Sequence, residues 1–490
     1  MISSILIILL VILLFIFAFV LVRTLTFGHP FEPVEPVEGL EVEAPVVAEH
    51  LSNAIRCETV SQLDRNQPNR QALLELHRAL EKMYPRLHTS LKWETIKDYT
   101  LLYTWEGIDP QQPAILLAGH LDVVPVDPAS LKEWSHPPFS GQVADGFVWG
   151  RGTLDIKEQV ITIMEAVEHL LKNGYQPGRT VYLAFGHDEE NGGFAGAKEI
   201  ASLLKSRGVQ LEAVLDEGSF ILENILPGTK VPVAAIGTSE KGMLTLKLKV
   251  EAEAGHSSTP PAHTAIGILA EAILNLEENP LPARTTYAQK LFKGVGIASP
   301  FFYQMAFANL WLFGGMIKRQ MSRNPQTNAL IRTTTATTAV AGGIKENVLP
   351  TQAKALVNFR LLPGNSIADV CTYATRVISD KRVSFQPVEE GAWEATPISP
   401  TGSAAYLALE KTIRQTFGNL PVAPFLVLSA TDSRYYAELC QNIYRFTPVT
   451  IDPESLKGVH GVNERVSVES LGKMVKFYGQ LIQNWGASGQ

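Results

Sequence analysis

The sequence is short of cysteine, of charge and of basic runs, and each shortage excludes something. Only three of 490 residues are cysteine (Cys57, Cys371 and Cys440). They are too few and too scattered for a disulfide framework or a thiolate metal site, and they read as small buried thiols. Charged residues make up 19 %, with 42 Lys plus Arg against 49 Asp plus Glu, a net charge of −7. A mildly acidic chain without basic clusters is a poor ligand for nucleic acid, and no nucleic-acid partner is expected. No repeat at solenoid periods is present. Apolar residues, by contrast, reach 46 %, enough for sizeable cores, and at about 150 residues per domain the length implies two or three units.

The first segment stands apart. Ile5 to Val22 is unbroken apolar sequence, just long enough to cross ~30 Å of hydrocarbon as a helix. A cleaved signal peptide, a membrane anchor and a buried core helix are the three readings. A core helix would carry polar punctuation, and a signal peptide a basic start and a small-x-small site. Neither is found, so residues 1–24 are expected to be an uncleaved single-pass anchor. Residues 25–46 follow as a linker rich in Pro and Glu (Pro33, Pro36, Pro45; Glu32, Glu35, Glu38, Glu41, Glu43), expected to be an extended spacer that lifts the rest off the bilayer. Arg23 alone favours a cytoplasmic catalytic part, but the acidic linker lacks the basic residues of a cytoplasmic flank. The expected topology is N-in, C-out, with the catalytic part extracytoplasmic.

The remainder reads as α/β, a mostly parallel sheet with helices on both faces. Ala114–Ala118, Val181–Phe185 and Ala213–Leu215 are continuous apolar strands, as buried parallel strands are. Between the first two, Ile156, Val160, Ile163, Met164, Val167, Leu170 and Leu171 recur at a helical period, and Gly174 supplies a stop. Ser467 caps a last helix striped by Leu471, Met474, Val475, Tyr478, Leu481, Ile482 and Trp485. In between, Met243–Ala252 alternates strictly, part of Leu330–Val340 does too, and Ala353–Arg360 is a further strand. With helix-like stretches at Ala265–Leu276 and Ile367–Ile378 and a strand near Val383–Val388, this is a small α+β domain. The expected division is 47–239 and 392–488 for the catalytic domain, with 240–391 inserted. Pro280–Arg323 lengthens the insert and is rich in aromatics, among them Phe292, Phe301, Phe302, Tyr303, Phe307, Trp311 and Phe313. It reads as extra core, as a trough for an acyl chain, or as a surface dipping toward the bilayer.

Ligands of an open parallel sheet bind beyond the carboxyl ends of its strands. Each apolar strand here runs into acids and imidazoles: Gly119-His120-Leu121-Asp122, Gly186-His187-Asp188-Glu189-Glu190 and Asp216-Glu217-Gly218. Gly150-Arg151-Gly152-Thr153-Leu154-Asp155 enters the intervening helix, and Gly458-Val459-His460-Gly461 stands near the C-terminus. Carboxylates converging on one edge repel unless a cation neutralises them, which argues for a metal. Imidazole plus carboxylate without thiolate suits zinc, with cobalt or manganese as substitutes. Two imidazoles and three carboxylates are too many for one tetrahedral ion and suit two, with one carboxylate bridging.

At these residues the sequence resembles the co-catalytic di-zinc amidohydrolases that include aminoacylase, carboxypeptidase S, glutamate carboxypeptidase and succinyl-diaminopimelate desuccinylase. The H-x-D motif is met by His120 and Asp122, G-R-G-x-x-D-x-K by Gly150 through Lys157, and the Glu-Glu pair by Glu189 and Glu190. The later Asp is Asp216, and the C-terminal ligand is His460. Asn324–Thr334 and Ala430–Tyr436 are similar to the branch of carboxypeptidase S and N-fatty-acyl-amino-acid synthase/hydrolase. The resemblance implies two zinc ions per chain, with Asp155 bridging and His120, Glu190, Asp216 and His460 as terminal ligands. It implies that Asp122 orients His120, that Glu189 is the general base, and that the Asp155–Ile156 bond is cis. It makes the insert a lid and dimerisation domain, in which His256 stabilises the oxyanion, in dimers from the partner chain, and Asn347 belongs to the same site. Arg434 would clamp the substrate's free α-carboxylate, a match for a guanidinium fork, with Arg360 as a second candidate. His187 and Glu217 are left as structural neighbours. The implied activity is hydrolysis of N-acyl amino acids or of a C-terminal peptide bond, in small-molecule substrates. The alternative is an inactive binding ectodomain on the same fold; intact Asp122 and Glu189 argue against it.

Overall fold

The computed structural model describes residues 2–28, 33–62, 68–226, 229, 231–296, 298–388 and 391–487. Linker residues 29–32, among them Phe31 and Glu32, lie outside that set, as do Met1 of the expected anchor, residues 389–390 of the insert and position 488. Four mutually parallel strands form the centre of a mixed ten-stranded sheet, in the order Val181–Gly186, Ala114–His120, Leu211–Asp216 and Ile443–Arg445. Antiparallel strands extend both sides: Thr100–Trp105 and Lys92–Ile96 at one edge, Val233–Glu240 beyond Ile443–Arg445 at the other. The central strands are continuous in apolar residues because both faces are covered. Ile115 and Leu117 face the core shared with Val160, Met164, Val475 and Tyr478, whereas Leu116 and Ala118 face Ile200, Leu204 and Tyr436. Helices Lys157–Lys172 and Val468–Gly486 thus lie on one face, and Ala197–Ser206 on the other.

The second sheet is antiparallel, in the order Thr334–Gly342, Gln352–Leu361, Gly242–Glu251, Val383–Pro387. Leu244, Leu246, Leu248 and Val250 are buried under helices Ala265–Glu278 and Ile367–Ile378, as the period-two alternation requires. The chain enters this unit from Glu240 through Lys241 and leaves it beside Trp393, which bridges Met243. Gly242 sits at that crossing, where a Cβ would stand 2.5 Å from the Ala395 amide nitrogen.

Ile2–Leu25 is a single helix whose side chains are almost all exposed, Val20 and Thr24 excepted. It is long and apolar enough to cross a membrane. The acidic segment after it does not stand off as a spacer. Val34 exchanges backbone hydrogen bonds with the Asn419 amide (2.9 and 3.3 Å), and Leu40 and Val42 pack on the main core.

Candidate metal centre and active site

The parallel strands deliver their charged ends to one edge, and the imidazoles and acids meet there in two sets that share Asp155. On one side His120 Nε2 lies 3.1 Å from Asp155 Oδ1 and 3.3 Å from Glu217 Oε1. On the other, His460 Nε2 lies 2.8 Å from Asp155 Oδ2 and 3.4 Å from Glu190 Oε1. Ligands about 2.0–2.1 Å from a tetrahedral ion stand about 3.3 Å from each other, so these spacings suit one ion per set. Glu189 falls with His120 and Glu217 in a further close group. Glu190 Oε1 is buried with His460 Nε2 no nearer than 3.4 Å, as expected where a cation completes the site. Asp216 Oδ2, also buried without a hydrogen-bond partner, lies outside both sets. The donor set fits two ions.

The environment makes the uncompensated site costly. Burial pushes the Glu189 carboxyl well above its usual range, with Glu217, Asp432 and Glu190 adding to the shift against His120. Glu190 and Asp216 are raised, mainly by burial, and Glu217 is pushed up to about 8 by burial and the Asp155 charge. Asp155 goes the other way: hydrogen bonds from His120 and His460 outweigh its burial and hold it low. Hydrogen bonds to Asp155 and Glu190 raise His460 to about 10.

Asp122 is the joint of the site. Its backbone oxygen lies 2.9 Å from His120 Nδ1, leaving Nε2 free to ligate. Its carboxylate accepts the amides of Glu189 (3.1 Å) and Glu190 (3.2 Å) and the Ser61 hydroxyl (2.5 Å). The Asp155–Ile156 peptide is cis. Arg151 and Glu464, both buried, bind the loops bearing Asp155 and His460 together. Arg151 Nη1 donates to Glu464 (2.6 Å), Arg151 Nη2 to the Gly461 carbonyl (2.9 Å), and Glu464 accepts the Gly152 and Leu154 amides.

Several sequence-based positions need correction or comment. Glu217, read as a neighbour, lies 3.3 Å from His120 Nε2, on the side where Asp216 was expected. Asp216 ends its strand with Oδ1 accepting the Glu217 amide (2.9 Å), and it belongs to neither close group. The Asp-Glu doublet was visible in the sequence; which member faces His120 is set by how the strand ends. Glu464 had no such signal, because its partners are all tertiary. His187 is a structural residue, 2.6 Å from the Thr100 hydroxyl. The Arg434 guanidinium carbon stands 4.9 Å from the Trp393 ring centroid and 4.6 Å from that of Tyr435. Three of its five N–H groups meet the Thr431 carbonyl, the Gly192 carbonyl and the Tyr435 hydroxyl. Arg360 is a half-buried lid-strand residue paired with Met243 and stands close to Lys241. His256 and Asn347 are neighbours on an exposed two-stranded ribbon, where the Ser257 amide donates to the Asn347 carbonyl (3.2 Å). Among the described residues no contact joins them to the acid cluster.

The chain is 40 % identical over 477 residues to the N-fatty-acyl-amino acid synthase/hydrolase of Xenopus tropicalis, covering 95 % of this chain and 92 % of that one. It is 34 % identical to carboxypeptidase S of Saccharomyces cerevisiae, covering 89 % and 83 %. Among solved structures, an M20 family metallo-carboxypeptidase of Sulfolobus solfataricus superposes with a TM-score of 0.65 at 16 % identity, covering 91 % of this chain and 100 % of that one. Human carnosine dipeptidase 1 does so with 0.63, also at 16 % identity, covering 90 % and 96 %. The inactive alternative finds no support. Residues 116–484 match the peptidase family M20/M25/M40, and the chain belongs to it, as a metal-dependent amide hydrolase.

Proposed function

We propose that the chain hydrolyses the amide bond of N-acyl amino acids, with C-terminal peptide bonds as the second substrate class, using two zinc ions. The carrying observation is the pair of imidazole–carboxylate sets joined through the two oxygens of Asp155. In this reading His120, Glu217 and Asp155 hold one ion, and His460, Glu190 and Asp155 the other; Glu217 takes the place first given to Asp216. Such ions, when bound, polarise the amide carbonyl and acidify water. The chain's own groups do the rest. Glu189, buried beside His120 and Glu217, takes the proton of the attacking water and returns it to the leaving nitrogen. Asp122 holds His120 and the Glu189–Glu190 turn in register. The two remaining donors of Arg434, stiffened by its aromatic neighbours, hold the free carboxylate of the amino-acid half.

The lid completes the site from a second copy in this account. The edge strand Thr334–Gly342 is mostly exposed, and Val340 (63 %) and the following Ile344 (96 %) are apolar and uncovered. Such an edge is a template for pairing, and the reading requires that a homodimer through it bring the partner's ribbon to the acid cluster. Ile2–Leu25 is the single-pass anchor, and the acidic segment after it favours an extracytoplasmic catalytic part. Protease added to intact cells or spheroplasts should digest that part; protection until the membrane is broken gives the reverse topology.

The test of substrate class is hydrolysis of glycyl-leucine, N-acetyl-leucine and N-oleoyl-leucine by the zinc-loaded full chain. Preference for the long acyl chain supports the first reading and preference for the dipeptide the second. Turnover of all three substrates unchanged by chelation would refute both.

A further inference from the structure

The chemistry makes no use of the aromatic insert. Within it, helices Phe301–Ala308 and Leu310–Met321 meet at Asn309. Ile317 packs inward with Leu330, Ile331 and Leu426, whereas Phe302 (75 % exposed), Trp311 (56 %) and Met316 (60 %) face outward. Exposed large apolar side chains gathered this closely mark a binding surface.

The N-terminal helix lies against this hairpin, and the contact is graded along its axis. Near the helix C-terminus it is polar. Asn309 Nδ2 donates to the Val20 carbonyl and the Thr24 hydroxyl, both at 3.3 Å, and Arg23 Nε to the Ala308 carbonyl at 3.2 Å. One turn further in, Phe19 stands edge-on to Trp311 at 6.1 Å. Deeper still, Leu10, Leu13 and Phe17 face Met305, Leu312 and Phe313 across an apolar cavity of about 470 Å³. Leu10 precedes Arg23 by about 20 Å of helix. A helix of this length and composition in a bilayer has Arg23 at the water boundary and Leu10 well inside the hydrocarbon, and whatever packs on Leu10–Phe17 shares their depth. The acidic segment adds to this, since it is laid along the domain and does not act as a stand-off. Lys318 and Arg319, exposed in the last turn of the second helix, are suited to lipid headgroups.

We propose that the Phe301–Met321 hairpin is seated in the bilayer beside the anchor, its outward aromatic face and the apolar cavity occupied by phospholipid acyl chains. The catalytic unit then lies on the membrane. Phe307 stacks on Phe292 at 4.3 Å, and Phe292 packs with Leu426 of the strand that leads to Thr431–Arg434. The substrate-carboxylate loop is thereby connected to the lipid-facing surface by one apolar cluster. The inference rests on the anchor reading of Ile2–Leu25.

The test uses the full chain in phosphatidylcholine vesicles whose acyl chains carry bromine at positions 6,7 or 11,12. Trp311 is the one tryptophan between residues 280 and 323, and the difference between the native chain and Trp311→Phe isolates its emission. Phe19 precedes Arg23 by about 6 Å of helix, so the 6,7-bromolipid should quench that difference at least twofold and more strongly than the 11,12-bromolipid. Phe302→Trp in the Trp311→Phe background provides a second reporter, which should be quenched as well. If the chain resists alkaline carbonate extraction but neither reporter is quenched, the hairpin faces water or a second copy, and the proposal fails while the anchor stands. If carbonate releases the chain, both fail.

Discussion

Replacing Glu217 with glutamine keeps the size of the side chain and removes its charge, and the geometry around His120 sets the consequence. In the proposed site the ion that His120, Glu217 and Asp155 would hold loses one of its two carboxylates. Removing one partner from a buried charge pair costs about 3–5 kcal/mol, which is about 10²- to 10³·⁵-fold in affinity for that ion. The ion beside His460 and Glu190 should stay. After dialysis against metal-free buffer, elemental analysis should therefore find about one ion per chain in place of about two. Asp216→Asn makes the same chemical change one residue earlier and should retain both, because Asp216 Oδ1 accepts its neighbour's amide and stands in neither close group. The metal-free protein carries an independent sign. The Glu217 carboxyl is raised from 4.5 to about 8 by burial and by Asp155, so the folded chain holds a proton that the unfolded chain releases between those pH values. Stability of the chelated protein should fall as pH rises through that window, by up to about 4–5 kcal/mol for this group. Glu217→Gln cannot titrate, and its melting temperature under chelator should exceed that of the native chain at pH 8 and approach it at pH 5. Loss of an ion from Asp216→Asn, with Glu217→Gln fully loaded, would refute the assignment.

Three further outcomes are expected. Glu189→Gln should keep its metal while kcat falls by about 10²–10⁴, the usual contribution of a general base; metal loss in that variant would mean that Glu189 is a ligand. Arg434→Lys, which cannot present a fork, should raise KM for a carboxylate-bearing substrate about tenfold to a hundredfold and leave the corresponding amide without a carboxylate unaffected; kinetics on the matched pair decide it. Glu464→Gln loosens the clamp between the Asp155 and His460 loops and should weaken metal binding about 10- to 100-fold, read by competition with a chromophoric chelator, and an unchanged affinity would make the clamp irrelevant.

Much of this architecture is legible in the sequence because its signals are local. Continuous apolar strands, a helical stripe after Asp155 and the strict alternation of Met243–Ala252 each carry their own period, and the elements formed at those places. An open parallel sheet brings strand ends together, which points to this edge. The ligand set of His120, Asp155, Glu190 and His460 comes from the resemblance of the H-x-D, G-R-G-x-x-D-x-K and Glu-Glu motifs, and these four side chains are linked by contacts of 2.8–3.4 Å. What escaped depends on tertiary detail. The choice between Asp216 and Glu217 turns on one residue's direction at a strand terminus. Ile443–Arg445, which completes the parallel centre, is only three residues long, too short for any periodicity. Glu464 is a lone acid whose partners come from residues 151–154. The linker's attachment to Asn419 and the core is invisible in a composition that reads as solvated spacer.

The bridging role of Asp155 is the centre of the account, and the metal content of Asp155→Ala tests it most directly. The native chain, purified with zinc and dialysed, should hold about two ions. The variant should lose both, because each set gives up one oxygen of the shared carboxylate. One ion in the native chain, with its occupancy unchanged in Asp155→Ala, would contradict the bridged site.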